Sequence, residues 1–303
     1  MTRAMPFRLG TRGSPLALVQ AEAVRAALLA AQPEAQVEIT IIRTEGDRVT
    51  DRALAEIGGK GLFTEAIEQG LLNGSIDIAV HSMKDVPTTL PGGLTIGAYL
   101  EREDPRDVLI GATCIEALPA GAGVGTASMR RRAQLLAKRP DLRVELLRGN
   151  VQTRLRKLEE GLVDATLLAF AGLRRLGLGH VGTPLSIEAM LPAVSQGAIG
   201  VECRADDSII HKLLTHVDHA PTRLCVEVER AMLLALDGSC RTPIAGLAEL
   251  HGDEVRLAGL VASPDGSHLV TERATARIAD ARRMGFELGT TLRLQADPSW
   301  FEP

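Results

Sequence analysis

The sequence predicts an α/β protein that ends in a small α+β region. Short apolar runs alternate with helical patterns through most of the 303 residues, which favours parallel strands with helices on both faces of the sheets. The pattern changes near Ala220, after which strand-like runs begin at Ile244, Val255 and His268 and are joined by turn signals. These runs predict a three-stranded antiparallel sheet. Hydrophobic residues make up 45% of the chain and charged residues 24%, as in ordinary globular proteins.

The first region is predicted to begin with a strand at residues 7–10, a helix over residues 14–31 and a second strand at residues 37–43. Ser14 is a favourable N-cap residue, and Pro15 lies in the first turn, where proline is tolerated. The start of this helix is therefore well specified.

A polar, glycine-rich passage follows and leads into a helix predicted over residues 62–72. Its Lys60 is flanked by glycines, so we expect a mobile loop whose lysine can reach a ligand. A plain flexible linker would show the same glycines.

The stretch HSMKDVPTTLP, residues 81–91, follows an apolar run at residues 76–80 that predicts a buried strand. It places Lys84 and Asp85 where that strand must end, and open α/β sheets carry their binding and catalytic groups at such ends. The alternative interpretation is a solvated turn closed by Pro87. A further strand is predicted just after it.

A second α/β region is expected after the charged stretch EREDPRD, residues 101–107. An apolar strand through Val201 and Cys203 is expected to return to the first region, which would give two connections and therefore a hinge. Within the second region, strands are predicted near Val124 and at residues 143–147 and 165–170, and helices over residues 129–138 and 151–160.

The third region is predicted to hold a helix near residues 226–236, the three antiparallel strands and a closing helix near residues 279–294. The predicted domains are residues 1–100 with 198–217, residues 101–197, and residues 218–303.

Three sites share one arrangement, in which a strand ends, an arginine and a hydroxyl residue follow, and a helix begins. Helix N-termini offer unpaired N–H groups, and arginine grips carboxylates or phosphates through two bonds. Residues 128–157 carry ten Lys and Arg against two acids, although the formal net charge of the chain is −4. The sites are Thr11-Arg12-Gly13-Ser14, then Thr126-Ala127-Ser128 with Arg130 and Arg131, and Arg148-Gly149-Asn150 with Thr153 and Arg154.

Taken singly, each hydroxyl could be only a helix cap and each arginine only a solvated side chain. Repetition of the arrangement predicts a cationic cleft instead. Because no glycine loop of the phosphate-binding type is present, a ligand with several carboxylates is favoured. Asp85 differs from these residues in sign, so we expect it to steady a developing cation or to orient an N–H group of the ligand.

The four cysteines are widely spaced and form no C-x-x-C pair, so neither a metal site nor a disulfide framework is indicated. Cys240 lies in a glycine-led loop beside Arg241, which favours exposure and thiolate character. Cys203 and Cys225 lie in apolar surroundings that are typical of core residues. No apolar run is long enough to span a bilayer, and the first residues lack a signal-peptide pattern, so we predict a cytoplasmic protein.

Seven motifs, in order along nearly the whole chain, closely resemble the porphobilinogen deaminase family, also called hydroxymethylbilane synthases. HSMKDVP and the cysteine loop are highly specific in combination. The motifs are GTRGSPLAL (10–18), GGKGLF (58–63), DIAVHSMKDVP (77–87), EREDPRD (101–107), LRGNVQTRL (147–155), AGLRRLGL (171–178) and DGSCRTPIAG (237–246).

The resemblance implies two α/β domains similar to periplasmic binding proteins and a third, α+β domain that carries a cysteine. It implies a transferase that joins four porphobilinogen molecules head to tail, releases ammonia at each step and frees the linear tetrapyrrole hydroxymethylbilane by hydrolysis. This product belongs to haem and chlorophyll synthesis. The growing chain would start from a dipyrromethane cofactor bound through a thioether.

By the same resemblance, Cys240 would hold the cofactor, and Asp85 would be the catalytic carboxylate that stabilises a cationic methylene-pyrrole. Ala127, Ser195 and Ser239 depart from the residues that are common in the family, and only Ala127 would remove a hydroxyl from the acid-binding pocket. The implied cofactor-binding residues are Lys84, Arg131, Ser128, Thr126, Arg130, Ser82 and Gly149, and the implied substrate-binding residues are Arg12, Ser14, Arg148, Arg154, Arg175 and Lys60.

Two other functions compete with this interpretation. A two-lobed binding protein for an organic polyanion would need the same arginines but would be indifferent to Asp85 and Cys240. A nucleic-acid binder could use the basic segment at residues 128–157, but the overall acidity and the 2% aromatic content argue against base stacking. We therefore predict a small-molecule enzyme that is monomeric and binds neither nucleic acid nor a membrane.

Overall fold

The computed structural model describes residues 6–44, 64–237 and 242–301. These residues form two compact units. The three predicted domain ranges stay a prediction. The first unit comprises residues 6–44, 64–103 and 197–223, and the second comprises residues 104–196, 224–237 and 242–301.

The helices and strands follow the predicted alternation along the chain. The strands are β1 Phe7–Thr11, β2 Val37–Ile41, β3 Ile78–Ser82, β4 Leu94–Tyr99, β5 Asp107–Ile110, β6 Gly123–Gly125, β7 Arg143–Glu145, β8 Ala165–Ala169, β9 Thr183–Pro184, β10 Ile199–Arg204, β11 Ile244–His251, β12 Glu254–Ala262 and β13 Leu269–Arg277. The helices are α1 Pro15–Ala31, α2 Glu65–Leu72, α3 Met129–Lys138, α4 Val151–Glu159, α5 Phe170–Arg175, α6 Ser208–Leu214, α7 Ala220–Leu236 and α8 Ala281–Gln295.

The first unit contains a five-stranded sheet in the order β2-β1-β3-β10-β4. β1 is parallel to β2 and β3, so the carboxyl ends of β1 and β3 lie at the same edge. β10 runs antiparallel to both β3 and β4. The predicted parallel arrangement is therefore confirmed for β1, β2 and β3, whereas β10 is antiparallel because it joins this sheet from a distant part of the chain and not through a helical crossover.

Helices cover both faces of this sheet. Val24 and Leu28 of α1 pack with Val80 on one face. Ile67 of α2 packs with Ala79 on the other. Successive residues of β3 therefore point to opposite helices, as strand geometry requires.

The second unit contains a five-stranded sheet in the order β7-β6-β8-β5-β9. β6 is parallel to β7 and β8, whereas β5 is antiparallel to β8 and β9. β5 begins at Asp107, inside the charged stretch that the sequence analysis treated only as a crossing between regions. This sheet too is mixed, and its carboxyl edge is formed by β6, β7 and β8.

The same unit contains the three-stranded antiparallel sheet β11-β12-β13, which confirms the predicted α+β region. Its core is closed by helices α7 and α8, through side chains such as Met232 and Leu288. Gly259 of β12 allows this approach, since a Cβ there would lie 2.6 Å from the Sδ of Met232. None of the helices in the described ranges combines the length and apolar character needed to cross a bilayer.

Candidate functional site

One cavity in the first unit lies at the sheet edge where β1 and β3 end. It brings together side chains that are about 70 positions apart in sequence, because β1 and β3 are parallel neighbours. Among the described residues that line it, Asp85 is the only carboxylate. The lining residues are Arg12, Ser14, Leu16, Ala17, Gln20, Thr64, Val80, His81, Ser82, Lys84 and Asp85.

The amino end of α1 forms one wall of the cavity. Ser14 caps the helix, with its Oγ accepting a hydrogen bond from the N–H of Ala17 at 3.3 Å, which confirms the predicted helix start. Arg12 directly follows β1 and is half-buried. The Arg–Gly–Ser sequence thus places a guanidinium group and a helix N-terminus side by side.

The opposite wall is the 3-10 turn Met83–Asp85, which continues β3. Met83 is buried beneath the turn and packs over Gly200, where a Cβ would lie only 2.1 Å from its Sδ. Ser82 is held by the side chain of Gln20 in α1, at 2.8 Å. The stretch is therefore an anchored turn that presents an exposed Lys84 and a half-buried Asp85, and not the solvated turn of the alternative interpretation.

The cavity also includes residues that the sequence analysis did not identify. Gln20 lies six positions after Ser14, in the second turn of α1, and is therefore close to the amino end of that helix. Thr64 is the N-cap residue of α2, and His81 belongs to the buried β3. In the stretch that contains His81, the sequence pattern predicted roles for the charged residues and none for the imidazole.

In the second unit, the predicted strand-end sites lie at one sheet edge because β6, β7 and β8 are parallel. Ser128 caps α3 by accepting a hydrogen bond from the N–H of Arg131 at 3.4 Å, and the Oγ of Thr126 accepts from the N–H of Ser128 at 3.1 Å. Asn150 caps α4 in the same way at 2.8 Å. Gly149 has a φ of 121°, a conformation that L-residues with side chains rarely adopt.

Two arginines that are predicted to face a ligand are buried. Arg130 and Arg131 are each 5% exposed, and both contact the fully buried carboxylate of Asp107. The Arg131 Nη2 lies 2.7 Å from Oδ1, and the Arg130 Nη1 lies 2.7 Å from Oδ2. The Nη1 of Arg131 also donates to the carbonyl of Leu167 at 2.8 Å, and the Nη1 of Arg130 donates to that of Leu191 at 2.7 Å.

The Asp107 cluster, which we define as Asp107, Arg130, Arg131 and Gln196, is strongly coupled electrostatically. Burial alone would raise the pKa of Asp107, but the two guanidinium groups outweigh burial and hold that pKa well below its ordinary value. Burial lowers the pKa of Arg130, and Asp107 partly offsets this. Gln196 donates a further hydrogen bond to Oδ1 at 2.9 Å. Much of the donor capacity of both arginines is therefore used within the protein.

The remaining predicted residues differ in their placement. Arg148 and Arg154 are half-buried near the carboxyl end of β7, where the Nε of Arg154 donates to the carbonyl of Gly149 at 2.9 Å. Arg175 lies in the last turn of α5, which follows β8. Cys240 and Lys60 lie outside the described residues, as does Ser239.

Of the departures from the family pattern, Ser195 has a visible structural consequence. It adopts a positive φ of 63°, a region that favours glycine. Its N–H donates to the buried Oε2 of Glu229 at 2.6 Å, which holds the backbone in place. Ala127 is half-buried between Thr126 and Ser128.

Comparisons with known proteins give a consistent picture. Residues 7–212 match a family described as "Porphobilinogen deaminase, dipyromethane cofactor binding domain", and residues 223–293 match "Porphobilinogen deaminase, C-terminal domain". A porphobilinogen deaminase of Paracoccus denitrificans (strain Pd 1222) is 54% identical over 302 residues, covering 98% of this chain and 96% of the relative.

Solved structures with similar folds are distant in sequence. A periplasmic substrate-binding protein of an ABC transporter from Coxiella burnetii has a TM-score of 0.45 at 15% identity, covering 74% of this chain and 96% of that one. The second substrate-binding domain of a putative amino acid ABC transporter from Streptococcus pneumoniae has a TM-score of 0.43 at 14% identity, covering 76% and 94%.

Proposed function

The chain belongs to the porphobilinogen deaminase family, and we propose that it joins four porphobilinogen molecules head to tail, releasing ammonia at each step, to form hydroxymethylbilane. The observation that carries the proposal is the cavity of the first unit, in which one carboxylate faces two cationic side chains and a helix N-terminus. Such a site can hold the acid groups of a pyrrole while it stabilises positive charge on the ring.

Asp85 is proposed as the catalytic carboxylate. It is the sole anion among the described residues that line the cavity, and the turn that carries it is anchored by the buried Met83 and by the bond between Ser82 and Gln20. A fixed negative charge stabilises a cation without reorganising when the charge develops. We assign it the stabilisation of the cationic methylene-pyrrole that forms when ammonia leaves the substrate.

Arg12, Ser14 and Lys84 are proposed to bind carboxylates in the same cavity. Arg12 offers a planar fork of donors, Lys84 offers a point charge, and the capped end of α1 adds a positive dipole. Their spacing around Asp85 would hold the acid side chains of the substrate to either side of the ring nitrogen. The assignment of Lys60 to the same task rests on the family resemblance alone.

The residues of the second unit fit a cofactor that bears carboxylates. Two buried guanidinium groups and one buried carboxylate, those of Arg130, Arg131 and Asp107, carry a summed charge of +1. The Nε of Arg130 has no hydrogen-bond acceptor among the described residues. A carboxylate would supply the missing acceptor and the missing charge. Residues of the second unit proposed to hold a dipyrromethane are Thr126, Ser128, Arg130, Arg131 and Gly149. The assignment of Ser82 and Lys84 to cofactor binding rests on the family resemblance alone.

We further propose that Cys240 carries the dipyrromethane through a thioether. When bound, the group supplies the pyrrole end to which the first substrate is joined. Arg148, Arg154 and Arg175 are proposed to bind acid groups of the pyrrole chain.

A monomeric state, a cytoplasmic location and the lack of nucleic-acid binding are proposed from composition alone, and light scattering, cell fractionation and a gel-shift assay would check them.

The test compares the intact mass and the porphobilinogen consumption of the wild type, Cys240→Ser and Cys114→Ser. Cys114 is a half-buried cysteine outside the motifs and serves as the matched control. We expect the wild type and Cys114→Ser to exceed their sequence mass by a dipyrrole and to release ammonia. Cys240→Ser should have the bare mass and be inactive.

The two parts of the proposal can fail separately. An active wild type with the bare mass would exclude the covalent cofactor. A dipyrrole-loaded wild type that only binds porphobilinogen, without releasing ammonia, would exclude the enzymatic function in favour of the binding-protein alternative.

A further inference from the structure

A second group of titratable side chains is buried directly behind the cavity of the first unit. The Nε2 of His81 lies 2.9 Å from the Oε2 of Glu202, and their side chains are 4% and 0% exposed. Glu68 of α2 is also buried. We call these three residues the buried acid–histidine cluster.

The sheet itself brings the cluster together. β10 pairs antiparallel with β3, so that His81 lies opposite Gly200 and Ala79 lies opposite Glu202. His81 and Glu202 are therefore diagonal neighbours on one face of the sheet. This is the face that α2 covers, since Ile67 of that helix packs on Ala79. Glu68 is the next residue along α2.

One oxygen of each carboxyl group lacks a hydrogen-bond donor in the described part of the chain. The Oε1 of Glu68 and the Oε1 of Glu202 are both buried, and neither has a partner among the described residues. A buried carboxylate oxygen without a donor is costly. No set of three or more His, Cys, Asp or Glu side chains within the described ranges is arranged to hold a metal ion, which leaves a proton as the simplest missing element.

The electrostatic surroundings identify which carboxyl group retains that proton. Burial raises the pKa of Glu68, and the negative charges of Glu202 and Glu65 raise it further, against the opposing effects of Thr64 and His81. Glu68 is therefore protonated up to a higher pH than an ordinary glutamate. Glu202 is the hydrogen-bond partner of His81 in the cluster.

The cluster reaches the cavity through two of its lining residues. His81 and Thr64 both line it, and Thr64 is the N-cap of the helix that carries Glu68. The Nδ1 of His81 makes no hydrogen bond to another residue in the described part of the chain. An imidazole whose other nitrogen is bound to a buried carboxylate has the arrangement used by histidines that transfer protons.

The proposed reaction needs such a proton carrier. Each condensation replaces a C–N bond and a C–H bond by a C–C bond. The amine departs with the C–N electron pair, the attacked carbon loses its hydrogen as a proton, and the electron pair of that C–H bond returns to the ring. One proton must therefore be supplied to the amine so that it leaves as ammonia, and one must be removed from the ring carbon after the C–C bond has formed.

We propose that His81, oriented by Glu202 and the neighbouring Glu68, donates a proton to the substrate amine as it leaves as ammonia and recovers a proton from the ring carbon after the C–C bond has formed. This inference rests on the proposed function and adds a proton-transfer residue to it. Asp85 handles the positive charge of the intermediate, and His81 handles the proton. The two roles are separate because Asp85 follows the strand at the cavity wall, whereas His81 is bound to the sheet interior.

The test uses Glu202→Gln and His81→Gln in the full-length, dipyrrole-loaded enzyme. Both keep the size of the side chain but remove the charge or the titrating ring. We expect kcat to fall roughly 10²-fold in each, with KM changed less than about threefold, because proton transfer and not binding is impaired. The solvent deuterium isotope effect on kcat should increase in both variants.

The matched control is Asp77→Asn. Asp77 is a buried carboxylate that immediately precedes β3, where it pairs with Arg8 at 3.2 Å and Arg204 at 3.4 Å, far from the cavity. We expect it to lower the unfolding temperature while kcat and the isotope effect stay at the wild-type values. Glu68→Gln should reduce kcat less than Glu202→Gln, since Glu202 is the residue that is hydrogen-bonded to His81.

Each result has a defined meaning. An unchanged kcat in a folded, loaded His81→Gln, or an equal loss of kcat in Asp77→Asn, would overturn the role of His81. If Glu202→Gln fails to fold, His81→Gln alone decides. A wild type that releases no ammonia would refute the proposed function itself, whereas an active wild type with indifferent variants would refute only this inference.

Discussion

The cavity of the first unit and the Asp107 cluster of the second unit begin from the same sequence arrangement but use it differently. In both, a strand ends, a hydroxyl residue caps a helix, and arginine lies within the first turns. Arg12 lines an open cavity, whereas Arg130 and Arg131 are buried against Asp107. The difference shows that a cap-and-arginine pattern specifies where a positive charge lies but not how deeply that charge is buried.

The two carboxylates that distinguish the regions also differ in their partners. Asp85 is half-buried on a short turn at a cavity, and Asp107 is fully buried and bound by two guanidinium groups and an amide. We therefore expect replacement of the first to affect catalysis and replacement of the second to affect stability. The following experiments, in order of expected effect, test that contrast.

The largest expected effect is that of Asp85→Asn on turnover. The amide retains the shape but not the negative charge, so kcat should fall about 10²- to 10³-fold, the usual result when one preorganised electrostatic group is removed. Steady-state ammonia release measures it. The thermal unfolding midpoint and the dipyrrole mass should be unchanged, and near-normal turnover would refute the proposed role.

Asp107→Asn should mainly destabilise the fold. It leaves two buried guanidinium groups without a counter-charge, and loss of one partner of a buried ion pair costs about 3–5 kcal/mol. Chemical unfolding followed by circular dichroism would measure the change. Asp141→Asn, which breaks the exposed pair with Arg139, is the control and should change stability far less. An equal loss of stability in Asp107→Asn and Asp141→Asn would contradict this prediction.

A smaller effect concerns the acid limb of stability. Because the folded-state pKa of Asp107 is lowered, its contribution is fully present above the unfolded value of about 3.9 and is lost as pH falls toward the folded value. The free energy of unfolding of the wild type should therefore fall more steeply below about pH 4 than that of Asp107→Asn. Urea titrations at several pH values would measure this free energy. Parallel pH dependences for the wild type and Asp107→Asn would contradict the prediction.

Local sequence signals predicted much of the fold correctly. The start of α1 was specified by Ser14 and Pro15, and the three antiparallel strands were specified by their spacing and turns. The short strand β5 was missed because its residues lie within a charged stretch that lacks an apolar pattern. The direction of β10 was also missed, since an apolar run carries no information about which way its neighbours run.

The candidate site was predicted in its residue types but not in its pairings. Arg12, Ser14, Lys84 and Asp85 share a cavity, whereas Arg130 and Arg131 share a buried carboxylate. Asp107 is the last residue of the EREDPRD motif, from which no role for it was predicted. A glutamate inside the apolar run of residues 199–204 was the one signal that could have marked Glu202.

The sequence by itself determined the helix caps, the order of the elements, the basic segment and the motifs that place the chain in its family, because each depends on residues close together along the chain. Which charged side chains contact each other depends on the tertiary structure. His81 and Glu202 lie 121 positions apart, and Arg131 and Asp107 lie 24 apart. Their contacts depend on strand order and direction, which arise from burial of the whole sheet and not from any local pattern.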